Sequence, residues 1–313
     1  MLSRIADSLF WMNRYMERSD CHLRVIRTNY ILSFDKMTSA DFSWKDIILF
    51  LAQPPEETAA SEGADIATAL PYLITQTKNL NAVKVLITKA RENARGVQDN
   101  ITKEVWEQVN QLYHIVNDPL LPEKLKGSHA LEAIDELDQN SILYYGVTDS
   151  TMPRGQGWNF MNLGKYIERS LLTIDSLYFH FRRFDHQLDQ VQDILFWRNL
   201  LLSLSGYELY LKTYTRDQHN INVLDHVLFN PDFPRSLLYS LSRTRRYLQK
   251  VADDNKIPGS DTLIRRFGRI ASHVEFSDIN TIKEASLPQY LYSLRKNLVD
   301  FSNELSRIYF SYA

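Results

Sequence analysis

A chain of 313 residues, 44% hydrophobic and 12% aromatic, can bury a substantial core, which excludes a disordered or low-complexity polypeptide. Its 36 Lys and Arg nearly balance 38 Asp and Glu, so with a net charge of -2 no general field draws it to nucleic acid or to an anionic membrane. The single cysteine, Cys21, excludes an intrachain disulfide and a cysteine metal cage and favours a reducing compartment.

At the N-terminus, MLSRIADSLFWMNRYMER carries charges throughout and lacks the apolar core and cleavage site of a signal peptide. No apolar run approaches the roughly 20 residues that span a bilayer. The expectation is a soluble cytoplasmic protein with its N-terminus inside the fold. From Ile5 onward, Leu9, Met12, Met16, Leu23, Ile26 and Tyr30 recur at helical spacing, predicting one long core-facing helix with Ser3 placed to cap it. Comparable periodicity predicts helices through about 64–78, 80–98, 101–116, 128–145, 158–184, 190–216, 235–253, 260–272 and 282–311. Alternating strand patterns are nearly absent. The fold class expected is all-α, a multi-helix bundle of antiparallel helices joined by short turns. Two segments dense in turn formers, 53–63 and 146–157, are expected to be irregular.

The sequence also repeats itself. NRYMERSD, from Asn13, returns as GKYIERSL, from Gly164; WKDIILFL, from Trp44, returns as WRNLLLSL, from Trp197; and LITKAR, ending at Arg91, returns weakly as LYSLSR, ending at Arg243. The offsets are 151, 153 and 152 residues, in the same order. This predicts two pseudo-repeats, about 1–145 and 158–313, with a linker at 146–157, packed into a single helical domain.

On its helix Glu17 projects beside the apolar stripe, near Ala6, Phe10 and Asn13. Glu168 has similar neighbours in Gly157, Met161, Gly164 and Leu172, where small residues allow another helix to approach closely. Both glutamates are therefore expected to be partly buried, and a buried charge needs a partner. Arg14 and Lys165 precede them at the i, i+3 spacing that brings side chains together. Arg18 falls on the side of Arg4, Asp7 and Trp11, and Arg169 falls near Lys165 and Trp158, so each motif can set a guanidinium beside an indole. Three readings remain open. The motifs are structural ion pairs, or Arg18 and Arg169 line one cleft and bind a carboxylate or phosphate bidentately, or the glutamates bind metal. The Glu-x-x-His motif of helical-bundle carboxylate sites is missing, so no metal is expected.

KARENARG sets Arg91 and Arg95 on one helical face, as a solvated surface or part of a site. In SGYELYLKTYTR the tyrosines fit a core face, with Glu208 as the candidate site residue. NPDFPRS reads as a turn with Ser236 or Asp232 capping the next helix. His180 and His186 are expected at a wet helix end. No Walker loop, GxGxxG, HExxH, GxSxG or paired CxxC occurs, and nothing calls for a cofactor.

Taken in order, LSRIADSLFWMNRYMER, ARENARG followed by EVWEQVN, LGKYIERS, WRNLLLSLSGYE and PDFPRS resemble the bacterial alpha-E domain family, described as a predicted alpha-helical domain with a conserved Glu-Arg motif. The resemblance covers nearly the whole chain and places the motif on Glu17, Arg18, Glu168 and Arg169. It implies a gene beside, or fused to, a circularly permuted ATP-grasp protein, often with transglutaminase-like or amidohydrolase-like peptidases, and a role in peptide synthesis or modification. Asn13 stands where the family usually has the glycine that Gly164 retains, which is expected to widen the helix spacing at the first motif. The function that follows is an accessory module that docks the ligase and holds an acidic peptide or carboxylate against Arg18, Arg169 and Arg91. The alternatives are an enzyme using Glu17 or Glu168 as general base and a pure scaffold.

Overall fold

The computed structural model describes residues 1–34, 43–52, 65–189, 192–215 and 218–310, and no strand occurs among them. Helix α1 (Ser3–Leu32) opens the chain. Contacts divide the molecule into two compact bodies, Tyr15–Met152 and Met1–Arg14 with Pro153–Ala313, so α1 contributes residues to each. No described helix is long and apolar enough to cross a membrane.

The body Tyr15–Met152 continues with α2 (Trp44–Ala52), α3 (Ile66–Ile74), α4 (Val83–Gly96), α5 (Lys103–Val116), the single turn α6 (Leu121–Lys124) and α7 (Ala130–Thr151). The amphipathic helix α5 packs between α4 and α7, and buries Val105, Val109, Leu112 and Val116 at spacings of three and four. Thr102 starts it by accepting the Val105 N–H.

The other body contains α8 (Gln156–Phe181), α9 (Ile194–Ser203), α10 (Tyr207–Thr213), α11 (His219–Phe229), α12 (Leu237–Asn255), α13 (Ser260–Glu275), α14 (Ile279–Ala285) and α15 (Leu287–Tyr309). The centre is α8, which packs on α12 and α15, while α13 joins α12 to α15 from outside. Here Ser236 caps α12, as its sequence suggests, by accepting the Tyr239 N–H at 3.0 Å. Phe10 of α1 meets Gly164 of α8, and Arg14 meets Glu168; equal steps forward along both helices mean that this part of α1 runs parallel to α8. They are far apart in sequence, so the short-turn rule that makes chain neighbours antiparallel does not bind them.

Several expected boundaries move. Ser3 is itself the first helical residue of α1, and the Leu2 carbonyl accepts the Ile5 and Ala6 N–H groups. The irregular linker expected at 146–157 shrinks to 152–155, because α7 continues through Gly146 to Thr151 and stops only at Met152, before Pro153. The single helix expected over 190–216 is interrupted where Ser205 turns left-handed, φ 55°, and that over 282–311 breaks at Ser286, φ 63°. The helix α11 falls in a stretch where periodicity predicts none. His180 is buried, bonded through Nδ1 to the Ser176 carbonyl, and burial pushes its imidazole down to about 4, so it is no wet helix end. The segment 53–63 lies outside the described residues.

The close approach at Gly164 is the contact anticipated from its small neighbours. A methyl group there would lie 2.2 Å from the Phe10 carbonyl oxygen and 3.3 Å from Cγ of Arg14, and backbone cannot swing aside as a side chain can. At Gly146, within α7, the same methyl would meet nothing within 4 Å. Gly164→Ala is expected to lower the unfolding free energy by about 1–3 kcal/mol. Gly146→Ala is expected to raise it by about 0.5–1 kcal/mol, since alanine loses less backbone entropy on folding. Urea denaturation of both variants checks the contrast.

Candidate functional site

The second Glu-Arg motif lies at the middle of α8. Glu168 is 1% exposed, and its Oε2 accepts from Arg14 Nε at 2.7 Å. Arg14 also donates through Nη1 to Ser302 Oγ at 3.2 Å and rests 4.6 Å from the Trp11 ring. Seven residues further along α8, Asp175 accepts from Arg295 of α15 at 2.6 and 3.2 Å. Ser302 lies seven residues beyond Arg295, so α8 and α15 run antiparallel with two polar rungs between them. The i, i+3 pairing of Arg14 with Glu17 is thus corrected. Its guanidinium reaches the glutamate of the other motif, across the close contact at Gly164.

Arg169, 8% exposed, points to another neighbour. Its Nη1 donates to the Pro234 carbonyl at 3.1 Å, and Thr173 donates to the Arg235 carbonyl at 3.2 Å, so α8 grips the turn that precedes α12. The Arg169 guanidinium and the Lys165 ammonium both lie over the Tyr166 ring, at 5.3 and 5.5 Å. Trp158, expected beside Arg169, instead carries Arg154 at 3.8 Å.

The first motif belongs to the body Tyr15–Met152. Glu17 is 1% exposed, deeper than the partial burial expected, and accepts the Tyr145 hydroxyl proton at 2.7 Å. Arg18 donates to Asn81 Oδ1 at 3.2 Å, while the Asn81 carbonyl meets His22 Nδ1 at 3.1 Å. Arg27 pairs with Asp135 at 2.6 Å. Ten residues forward on α1 match ten back on α7, so these helices are antiparallel over roughly 15 Å. Between the two contacts Arg24 pairs with Asp20 at 3.1 Å, and Asp138 is buried with Oδ1 lacking a hydrogen-bond partner among the described residues. Burial first, then the Asp20 charge, push the Asp138 carboxyl above the ordinary range, and Arg24 and Arg27 pull the other way.

Asn81, Tyr145, Asp20 and Asp138 were not evident as site residues from the motif. Three of them left a signal, because Asp138 and Tyr145 recur at helical spacing on α7 and Asp20 stands three residues after Glu17. Arg91 and Arg95 do share α4, but only Arg91 is organised. Its Nε donates to Asn110 Oδ1 at 2.7 Å, with the guanidinium 4.2 Å from the Tyr113 ring and 5.6 Å from that of Trp106, whereas Arg95 is exposed. Glu208 is exposed in the first turn of α10 and joins neither motif, and of the tyrosines around it Tyr210 is core.

Arg14→Met strands a carboxylate out of water and is expected to cost about 3–5 kcal/mol, whereas Arg14→Met combined with Glu168→Met recovers most of that loss. A double-mutant cycle in guanidinium measures the coupling. Asp138 predicts a pH dependence of definite sign. Its folded pKa is raised, so the ionised group opposes folding in full above that pKa, and the penalty fades as pH falls through it toward the unfolded value. Asp138→Asn is therefore expected to stabilise by roughly 1 kcal/mol at pH 7 and by less at acid pH, as read from denaturation midpoints across the range.

A family model described as a predicted alpha-helical domain with a conserved ER motif matches residues 1–310. Among curated proteins, the chain is 27% identical over 277 residues to "Uncharacterized protein Mb2597" of Mycobacterium bovis, and 26% identical over the same length to "Uncharacterized protein Rv2567" of Mycobacterium tuberculosis. Each match covers 82% of this chain but 30% of the relative, so the chain spans about a third of the curated proteins it matches. No solved structure matches it. The chain belongs to the Alpha-E family of helical domains.

Proposed function

We propose that the chain is a binding or accessory module that works with a circularly permuted ATP-grasp ligase in cytoplasmic peptide synthesis or modification, with a transglutaminase-like peptidase as a further partner. The supporting observation is the fate of the motif carboxylates. Both are almost fully buried and already accept from built-in donors, Tyr145 for Glu17 and Arg14 for Glu168. A general base needs a proton-accepting oxygen within reach of substrate, and these oxygens are engaged inside the fold. The glutamates are read as anchors. Anion recognition falls to the arginines, half-buried Arg18 on Asn81 in one body and buried Arg169 on the Pro234 carbonyl in the other. The repeated sequence around them is read as an old duplication.

Co-expression with the circularly permuted ATP-grasp protein of the same genome tests the reading. The two are expected to elute together, and ATP-dependent ligation is expected to slow when this chain is omitted. No complex and no change in rate would sink the module. Glu17→Gln and Glu168→Gln, where circular dichroism shows them folded, are expected to keep the rate within about twofold. A loss of about a hundredfold or more, the scale of general-base catalysis, would make the glutamates catalytic instead.

A further inference from the structure

On α12, Tyr239, Arg243 and Tyr247 stand four residues apart and share one face with Tyr166 of α8. The Arg243 guanidinium lies 4.8 Å from the Tyr239 ring centre. Tyr166 meets the Tyr239 ring at 6.3 Å and stacks on Tyr247 at 6.0 Å, with 12° between the planes. Arg169 closes the inner side, over Tyr166. Among the described residues no carboxylate pairs with Arg243, and the groups that act on it are the three phenols. Arg243 and Tyr239 are half-buried and open outward, while Tyr166, Tyr247 and Arg169 lie buried behind them.

A guanidinium set among rings, without a counter-charge, has lost part of its water and gained no anion in return. Donors outnumber acceptors throughout the cluster. The Tyr239 hydroxyl beside the guanidinium can donate its own hydrogen to an acceptor that arrives there. Burial pushes the Tyr166 phenol up to about 12, so it remains a proton donor at neutral pH.

The geometry points to an oxyanion site at Arg243 that takes the phosphoryl group of a small phosphorylated molecule, with Tyr239 beside it and Tyr166, Tyr247 and Arg169 behind. The donors come from two helices and from several directions. A carboxylate offers acceptor lone pairs in a single plane, whereas a phosphoryl group presents three strongly accepting oxygens around a tetrahedral centre. The assignment rests on reading Arg169 as an anion-binding group, but not on any ligase partner. Its test uses the chain alone, so failure here leaves the co-elution result standing.

Phosphorus NMR of the full chain, titrated with inorganic phosphate and with O-phosphoserine at constant ionic strength, reads the site directly. Saturable binding of both is expected. Arg243→Gln is expected to weaken it by about tenfold or more, the scale of one charge-assisted contact, and Tyr239→Phe by a few fold. Lys296→Gln, on an exposed part of α15, should bind as the parent does. Acetate at equal concentration should not displace the phosphate. The site is overturned by non-saturable binding, by Arg243→Gln binding as well as the parent, or by acetate displacing phosphate equally well. Binding of inorganic phosphate without O-phosphoserine overturns the small-molecule assignment.

Discussion

The buried pair of Arg14 and Glu168 is the constraint on which the arrangement around α8 depends. A carboxylate 1% exposed stays ionised only if its neighbours replace the water it has lost, and Arg14 does so with a bond of 2.7 Å. One helical turn earlier on both helices, the Phe10 backbone rides over Gly164, with no room for a side-chain carbon. The two contacts need each other. The glycine brings α1 near enough for Nε to reach the carboxylate, and the ion pair fixes the register in which a backbone can cross there. Ser302 takes a second guanidinium hydrogen and ties α15 to the same point. A hydrophobic replacement of similar volume would pack as well but would accept other registers, so the charges contribute specificity of alignment rather than net stability.

The motif glutamates reach the same end by different partners. Glu168 accepts from a guanidinium and Glu17 from a phenol. Of the arginines, Arg18 donates to an amide side chain and Arg169 to a backbone carbonyl. What the positions share is a buried acceptor and, one residue on, a donor turned to the next element. Asp138 shows the cost of leaving such a group half-satisfied: with Asp20 nearby and one oxygen without a partner among the described residues, its carboxyl holds its proton more tightly than usual.

Helical periodicity made the all-α class and most helix positions legible, because a stripe such as Leu9, Met12, Met16 and Leu23 has no other low-energy use. The spacing around Gly164 likewise announced a close helix approach. Other features were illegible for physical reasons. Spacing can only nominate partners on the same helix, so it paired Arg14 with Glu17, while the true partner, Glu168, is set by which helix packs alongside. The acceptors for Arg169 and His22 are backbone carbonyls, which carry no residue signature. The breaks at Ser205 and Ser286 use left-handed serines where glycine would have been a signal, and α7 runs through Gly146, where glycine signals a break that packing overrides.

Arginines held on aromatic rings recur at positions that align in the repeated sequence. Arg91, which ends LITKAR, lies on Tyr113 with its Nε fixed by Asn110; Arg243, which ends LYSLSR, lies on Tyr239. A surface arginine ordinarily loses about 2 kcal/mol of rotamer freedom when it is ordered by a ligand. Here the rings, and for Arg91 the bond to Asn110, impose that order beforehand, so a bound anion has less left to organise. The same rings exclude water from one face of the guanidinium and strengthen its field toward whatever approaches the other. Charge balance over the whole chain hides this, because it sums 36 cations against 38 anions without regard to which of them already have partners. The two guanidiniums differ from the mass of surface cations in having their geometry set by the fold itself.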